Sequence, residues 1–97
     1  MSAYHLMQPI KSAMQKRSDL ISTCSELLSK IFSNVSSQIV DEFVSQAIRS
    51  ELIEYLLQLL ESPMERIDKP AAVKALIVKA LKSMLNSLQH STRVNYY

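Results

Sequence analysis

Ninety-seven residues bound the chain to one domain, and a net charge of +2 is too small a basic surplus for a nucleic-acid interface. A hydrophobic share of 47% beside 21% charged residues belongs to a folded globular chain and excludes a disordered one. The absence of glycine excludes a phosphate-cradling loop, a dinucleotide fingerprint and glycine hairpin turns, and favours helices joined by Ser, Asn, Asp and Pro.

In chain order, residues 1–8 read as irregular. Pro9 suits the first position of a short helix to about Lys16, where its missing N–H is no loss, with Ile10, Ala13 and Met14 on one side. Asp19 is placed to cap a second helix, Leu20 to about Ser33. There Leu20, Ile21, Cys24, Leu27, Leu28, Ile31 and Phe32 repeat at i, i+3, i+4 and i+7. A third helix is expected from about Ser37 to Arg49, with the stripe Ile39, Val40, Phe43, Val44, Ala47 and Ile48. Ser50 reads as the N-cap of a fourth, Glu51–Glu61, whose leucines make it apolar nearly all round and in need of cover on more than one side. After the loop "SPMERIDKP", Pro70 opens the longest helix, to about Gln89, with Asp68 as its cap. "HSTRVNYY" leaves that helix and begins a further element at Val94.

The stretch "VKALIVKALK" (73–82) invites a reading as a cationic membrane-surface helix. On a 100° wheel, however, Leu76, Ala80, Val73, Met84, Ile77, Leu88, Leu81, Leu85 and Val78 fill an arc of roughly 200°. So broad an arc suits a helix gripped by two neighbours. A membrane-surface helix also asks for a strongly charged face and interfacial aromatic residues, and neither is found here. Lys74 falls at the edge of the arc, where its stem can lie along the surface with its ammonium in water. Leu81, near the middle, is expected to cost about 2–5 kcal/mol on truncation to alanine. Lys79, Lys82 and Asn86 lie on the polar arc and form the candidate protein-binding surface; the plain alternative is that this arc is merely solvated.

No constellation for catalysis is found, so no enzymatic role, cofactor or metal is expected. Cys24 sits on the apolar stripe as a small buried hydrophobe, and one cysteine excludes an intrachain disulfide framework and suits a reducing compartment. His5 and His90 have no ligand-spaced neighbours. No leader pattern opens the chain, no apolar run reaches the roughly 20 residues that span a bilayer, and the sequon at Asn34 reads as chance.

The helices also repeat. The helix at Ile10 and that at Leu52 are 42 residues apart, and "ELLSKIF" (Glu26–Phe32) aligns with "KALKSML" (Lys79–Leu85) at 53, the difference matching the extra loop before Pro70. The period of about 42 falls within the armadillo/HEAT range. The expected fold is therefore all-α, an armadillo/HEAT-like α-solenoid fragment of about five helices in one-and-two-thirds repeats. Residues 1–36 would be a partial first repeat, 37–90 a second, and 91–97 the start of a truncated element.

"SQAIRSELIEYLLQLLE" (Ser45–Glu61) and "KPAAVKALIVKALKSMLNSLQHSTRVN" (Lys69–Asn95), with the looser "IKSAMQKRSDLISTCSELLSKIF", carry a resemblance. The chain resembles the C-terminal armadillo-like region of the receptor-mediated endocytosis family of large endosomal J-domain co-chaperones (DnaJ subfamily C type). It departs from the family at Asn86 and His90, where Arg and Tyr are common, and at Ser91, near which the family has glycine. The His-Pro-Asp loop of the J-domain and the family's tryptophan-containing repeats are both absent. The resemblance implies a cytoplasmic protein, peripheral on early endosomes, that serves as non-catalytic scaffold in endocytic trafficking and cargo recycling. For the full-length protein it implies Hsp70, sorting-nexin/retromer and actin-nucleating machinery as partners. It supplies no docking residues; Lys79, Lys82 and Asn86 come from the helix wheel alone. Two other readings stand beside it: a peripheral membrane-binding helical module, and a stand-alone helical-bundle regulator. Uncovered apolar ends are expected to make the isolated segment self-associate, most simply as a two-fold dimer.

Overall fold

The computed structural model describes the backbone of residues 4–36 and 39–96 and the side chains of residues 6–36 and 39–89. Five α-helices and one short 3-10 turn follow in order, with no strand among the described residues: α1 (Tyr4–Lys16), the turn Ser18–Leu20, α2 (Ile21–Asn34), α3 (Val40–Arg49), α4 (Leu52–Glu61) and α5 (Pro70–Tyr96).

α1 begins five residues earlier than Pro9 marks, and Pro9 lies in its second turn. So close to a helix start a proline interrupts at most one ladder bond, and its ring is on the exposed side. The turn ahead of it carries Met7, which is fully buried in line with Ile10 and Met14. Residues 1–3 lie outside the described residues.

The corner between α1 and α2 is made by Arg17, extended, and the turn after it. Asp19 does not cap α2: its carboxylate is held by Arg17, with Nε donating at 3.2 Å and a terminal guanidinium nitrogen at 2.7 Å. Leu20 takes the N-cap position without a side-chain bond. The buried face of α2 is Ile21, Cys24, Ser25, Leu28, Ser29 and Phe32, whereas Leu27 is 42% exposed. The seam is thus turned toward Ser25 and Ser29, whose short side chains let α5 approach.

The expected start of α3 at Ser37 lies outside the described residues; the helix is defined from Val40, with Ile39 before it. Ser50 closes α3 instead of opening α4, its Oγ donating to the Ala47 carbonyl at 3.3 Å. Glu51 then turns the chain with φ 62° and precedes α4. Leu52 and Leu56 of α4 are fully buried, Ile53, Tyr55, Leu59 and Leu60 half-buried, and Leu57 is 49% exposed, so α4 is covered on fewer sides than its composition asks.

The loop from Ser62 to Lys69 folds inward through Met64, which is buried, and Ile67, half-buried against the core. Lys69, not Asp68, occupies the position before α5, its carbonyl accepting from the Ala72 and Val73 N–H groups. α5 does not stop near Gln89. It runs to Tyr96, so residues 91–96 extend the last helix and do not begin another; Tyr97 lies outside the described residues. No proline or glycine interrupts that stretch, and propagating a formed helix costs far less than starting one.

One core gathers side chains from all five helices and Met64. α2 lies along α5 from Val73 to Ser87, and α5 also touches α3 and α4. Its buried line is Val73, Ile77, Ala80 and Met84, with Leu81 only half-buried, so Ile77 and not Leu81 marks the middle of the covered arc. At 27 residues α5 is about 40 Å long and sets the longest dimension of the molecule, 47 Å against 25 and 19 Å. Phe32 of α2 and Phe43 of α3 meet edge to face, their ring centres 6.2 Å apart.

Candidate functional site

Lys79, Lys82 and Asn86 all lie exposed on α5, as helical spacing requires of residues three and four apart. The structure distributes them over two open grooves and does not gather them into one. Lys79 lines a shallow groove against α2 with Glu26, Ser29, Lys30 and Leu76. Asn86 borders a second, floored by Phe32, Val35 and Val40 and edged by Ser33, Ser83 and Ser87. Lys82 lines neither and projects from the outer side of the helix. The face therefore offers two ammonium groups and one amide, suited to carboxylate or carbonyl oxygens of a partner.

Sequence reasoning missed the apolar floor beside Asn86 and the bond that fixes its rim. Ser87 Oγ donates to the Phe32 carbonyl in the last turn of α2. Small residues one turn apart, Ser25 and Ser29 on α2 and Ser83 and Ser87 on α5, are the signal that could have found this close seam. A second missed tie joins Lys11 Nζ of α1 to the Ser50 carbonyl at 2.9 Å. It holds α1 against the corner between α3 and α4.

Reactive groups lie elsewhere. Cys24 is buried on α2, and burial pushes its thiol up from the ordinary value, which disfavours the nucleophilic thiolate. Among the described residues no three His, Cys, Asp or Glu side chains are grouped to hold a metal; His5 and His90 have side chains outside the described set. The ion pair found among the described residues is the exposed Arg17–Asp19 contact, 2.7 Å. Among the same residues no helix is long and apolar enough to cross a membrane. No protein-family model, curated protein or solved structure matches the chain.

Proposed function

We propose that this chain is a non-catalytic scaffold and protein-interaction segment, an armadillo-like solenoid unit of the endosomal J-domain co-chaperone type, acting in endocytic trafficking and cargo recycling. The observation that carries the solenoid reading is parallel stacking of the helices that sequence repetition equates. α2 and α5 run side by side in the same direction: Ser22 shares a groove with Val73, Glu26 and Lys30 with Leu76 and Lys79, and Phe32 with Ser83 and Ser87. α1 and α4 do the same, with Lys11 beside Ser50, two residues before α4, and Gln15 beside Leu59 and Ser62 at its end. The bonds Lys11–Ser50 and Ser87–Phe32 span 39 and 55 residues, close to the 42 and 53 at which the sequence repeats. Repeat proteins stack equivalent helices of successive units in this way. α5 is then a last helix of its repeat, and Lys79, Lys82 and Asn86 belong to the surface such helices present.

A pull-down from endosomal extract tests the reading. The wild-type chain is expected to retain trafficking components such as sorting-nexin or Hsp70-linked assemblies, and Lys79→Glu with Lys82→Glu to lose them while melting as wild type. Equal retention by both would remove this face from the site.

A second reading, a stand-alone helical-bundle regulator, draws support from the single core shared by all five helices. Extending the chain past Tyr97 separates the two. Added repeats stabilise a solenoid, whereas a closed bundle is indifferent to them.

A further inference from the structure

The loop between α4 and α5, residues 62–69, is the longest connection between helices, and the unequal repeat intervals of 42 and 53 mark it as extra. The scaffold reading gives it no role. It opens with Ser62-Pro63, and of the three prolines only this one follows a hydroxyl residue. Ser62 ends α4 with φ −73° and ψ 142°, the extended backbone that a following proline favours. Its N–H closes the helix on the Gln58 and Leu59 carbonyls, and its Oγ accepts from the Met64 N–H at 3.3 Å. Pro63 is exposed, while Met64 is buried with φ 51° and anchors the loop.

Ser62 lines an open groove together with Lys16, in the last turn of α1, and Arg66 of the loop itself; Glu65 is the one acid lining it. Both cations are exposed, and neither is in an ion pair among the described residues. Arg66 also borders the neighbouring groove, where Asp19 and Asp68 stand, but Asp19 is committed to Arg17. The groove thus sets two positive groups against one negative, around a neutral hydroxyl.

We propose that Ser62 is a phosphorylation site for a proline-directed kinase, and that Lys16 and Arg66 hold the phosphate. The kinase transfers the γ-phosphoryl group of magnesium ATP. A bond forms from Ser62 Oγ to the γ-phosphorus, the bond from that phosphorus to the β–γ bridging oxygen breaks, ADP leaves, and the hydroxyl proton passes to the kinase's catalytic carboxylate. Pro63 favours such a kinase because it has no N–H. A cleft without an acceptor after the serine would leave any other residue's amide unpaired. Entry to the cleft asks Glu61 to fray from the helix end and Met64 to swing out, an opening of the loop and not of the helices. The phosphate then carries about −1.5 to −2 charges at pH 7. At the C-terminal end of α4 it meets the negative pole of the helix, which by itself is unfavourable. Lys16 and Arg66 reverse that sign, since charge-assisted bonds to phosphate outweigh an exposed dipole contact. The modified loop is thereby tied to the end of α1. The site does not depend on the scaffold reading, and a failed pull-down leaves it standing.

The test incubates the pure 97-residue chain with magnesium ATP and a kinase of the cyclin-dependent class, and reads the sites by mass spectrometry. Ser62 is expected to take one phosphoryl group, at least tenfold more slowly in Pro63→Ala, and Ser62→Ala to take none in this loop. A synthetic peptide of residues 58–67 serves as the control substrate. In low salt the phosphorylated chain should melt a few degrees above the unmodified one. Phosphorus NMR should place the second ionisation of its phosphate below that of the same chain in urea, because two cations favour the dianion. The double variant Lys16→Met with Arg66→Met changes only exposed side chains and should melt as wild type before modification. Its phosphorylation should lower the melting temperature. Modification of the peptide but not of the folded chain overturns the site, and so does a kinase that modifies neither. A phosphate that lowers the melting temperature of the wild-type chain, or shifts both proteins alike, overturns the Lys16–Arg66 clamp.

Discussion

Glu51, Met64 and Lys69 hold backbone in the left-handed region in a chain without a single glycine. For an L-residue that conformation costs roughly 1–2 kcal/mol, because Cβ crowds the following carbonyl. Each site has its own compensation: Glu51 makes the corner into α4, Met64 buries its side chain, and Lys69 leads into Pro70. Glu51 is the clearest test because its side chain is exposed. Glu51→Gly is expected to raise the stability measured by urea unfolding by about 1 kcal/mol, the relieved strain less the extra freedom glycine gives the unfolded chain. Cys24 and Tyr55 make a second residue-scale prediction. Burial raises both above their ordinary values of 9.0 and 10.0, so the unfolded chain releases these protons first. Stability is therefore whole below pH 9 and falls as pH rises through that value and beyond. Melting temperature should decline from about pH 9 upward, and Cys24→Ala should flatten the first part of the decline. At pH 8 the native thiol should react with a thiol-specific reagent only as fast as the protein unfolds.

At the scale of the element, α5 separates composition from packing. The apolar arc is about 200° wide, yet neighbours within the chain cover only the part centred on Ile77. Ile77→Ala should cost about 2–5 kcal/mol, as for an aliphatic side chain emptied from a close-packed site. Leu81→Ala, half-buried, should cost about 1–2 kcal/mol by lost burial alone. Equal losses at the two positions, read from denaturant midpoints, would mean that the outer stripe of α5 is buried as fully as the inner one. α1 illustrates the opposite balance. Pro9 is a poor residue for a second turn, and the burial of Met7 and Ile10 on either side of it keeps the helix continuous.

For the whole molecule, the shared core couples every helix to every other. Met7, Phe32, Val44, Leu56 and Ile77 come from five different helices and belong to one cluster. Unfolding should therefore be a single transition, with coincident urea curves by far-ultraviolet circular dichroism and by tyrosine fluorescence. Separate transitions would show that the α1–α2 layer and the α4–α5 layer fold as independent units. The ties Lys11–Ser50 and Ser87–Phe32 join those layers at long sequence separation, which argues for the coupled outcome.

The sequence by itself determined the helical class, the five helices and most of the core, because a 3.6-residue apolar period and the lack of glycine leave few alternatives. It also determined that Lys79, Lys82 and Asn86 face outward, since helical spacing places them on one exposed arc. The caps were not legible. Asp19, Ser50 and Asp68 have the right chemistry for N-caps, but Arg17 claims the first, the second closes the preceding helix, and Lys69 stands where the third was expected. A cap depends on the path of the backbone at the corner, which local composition does not encode. Nor could periodicity say which edge of a broad apolar arc is covered. Leu27, Leu57 and Leu85 match their buried neighbours in chemistry and remain exposed. Their fate was decided by how α2 stacks on α5 and α1 on α4, because a helix buries only the side on which another helix stands.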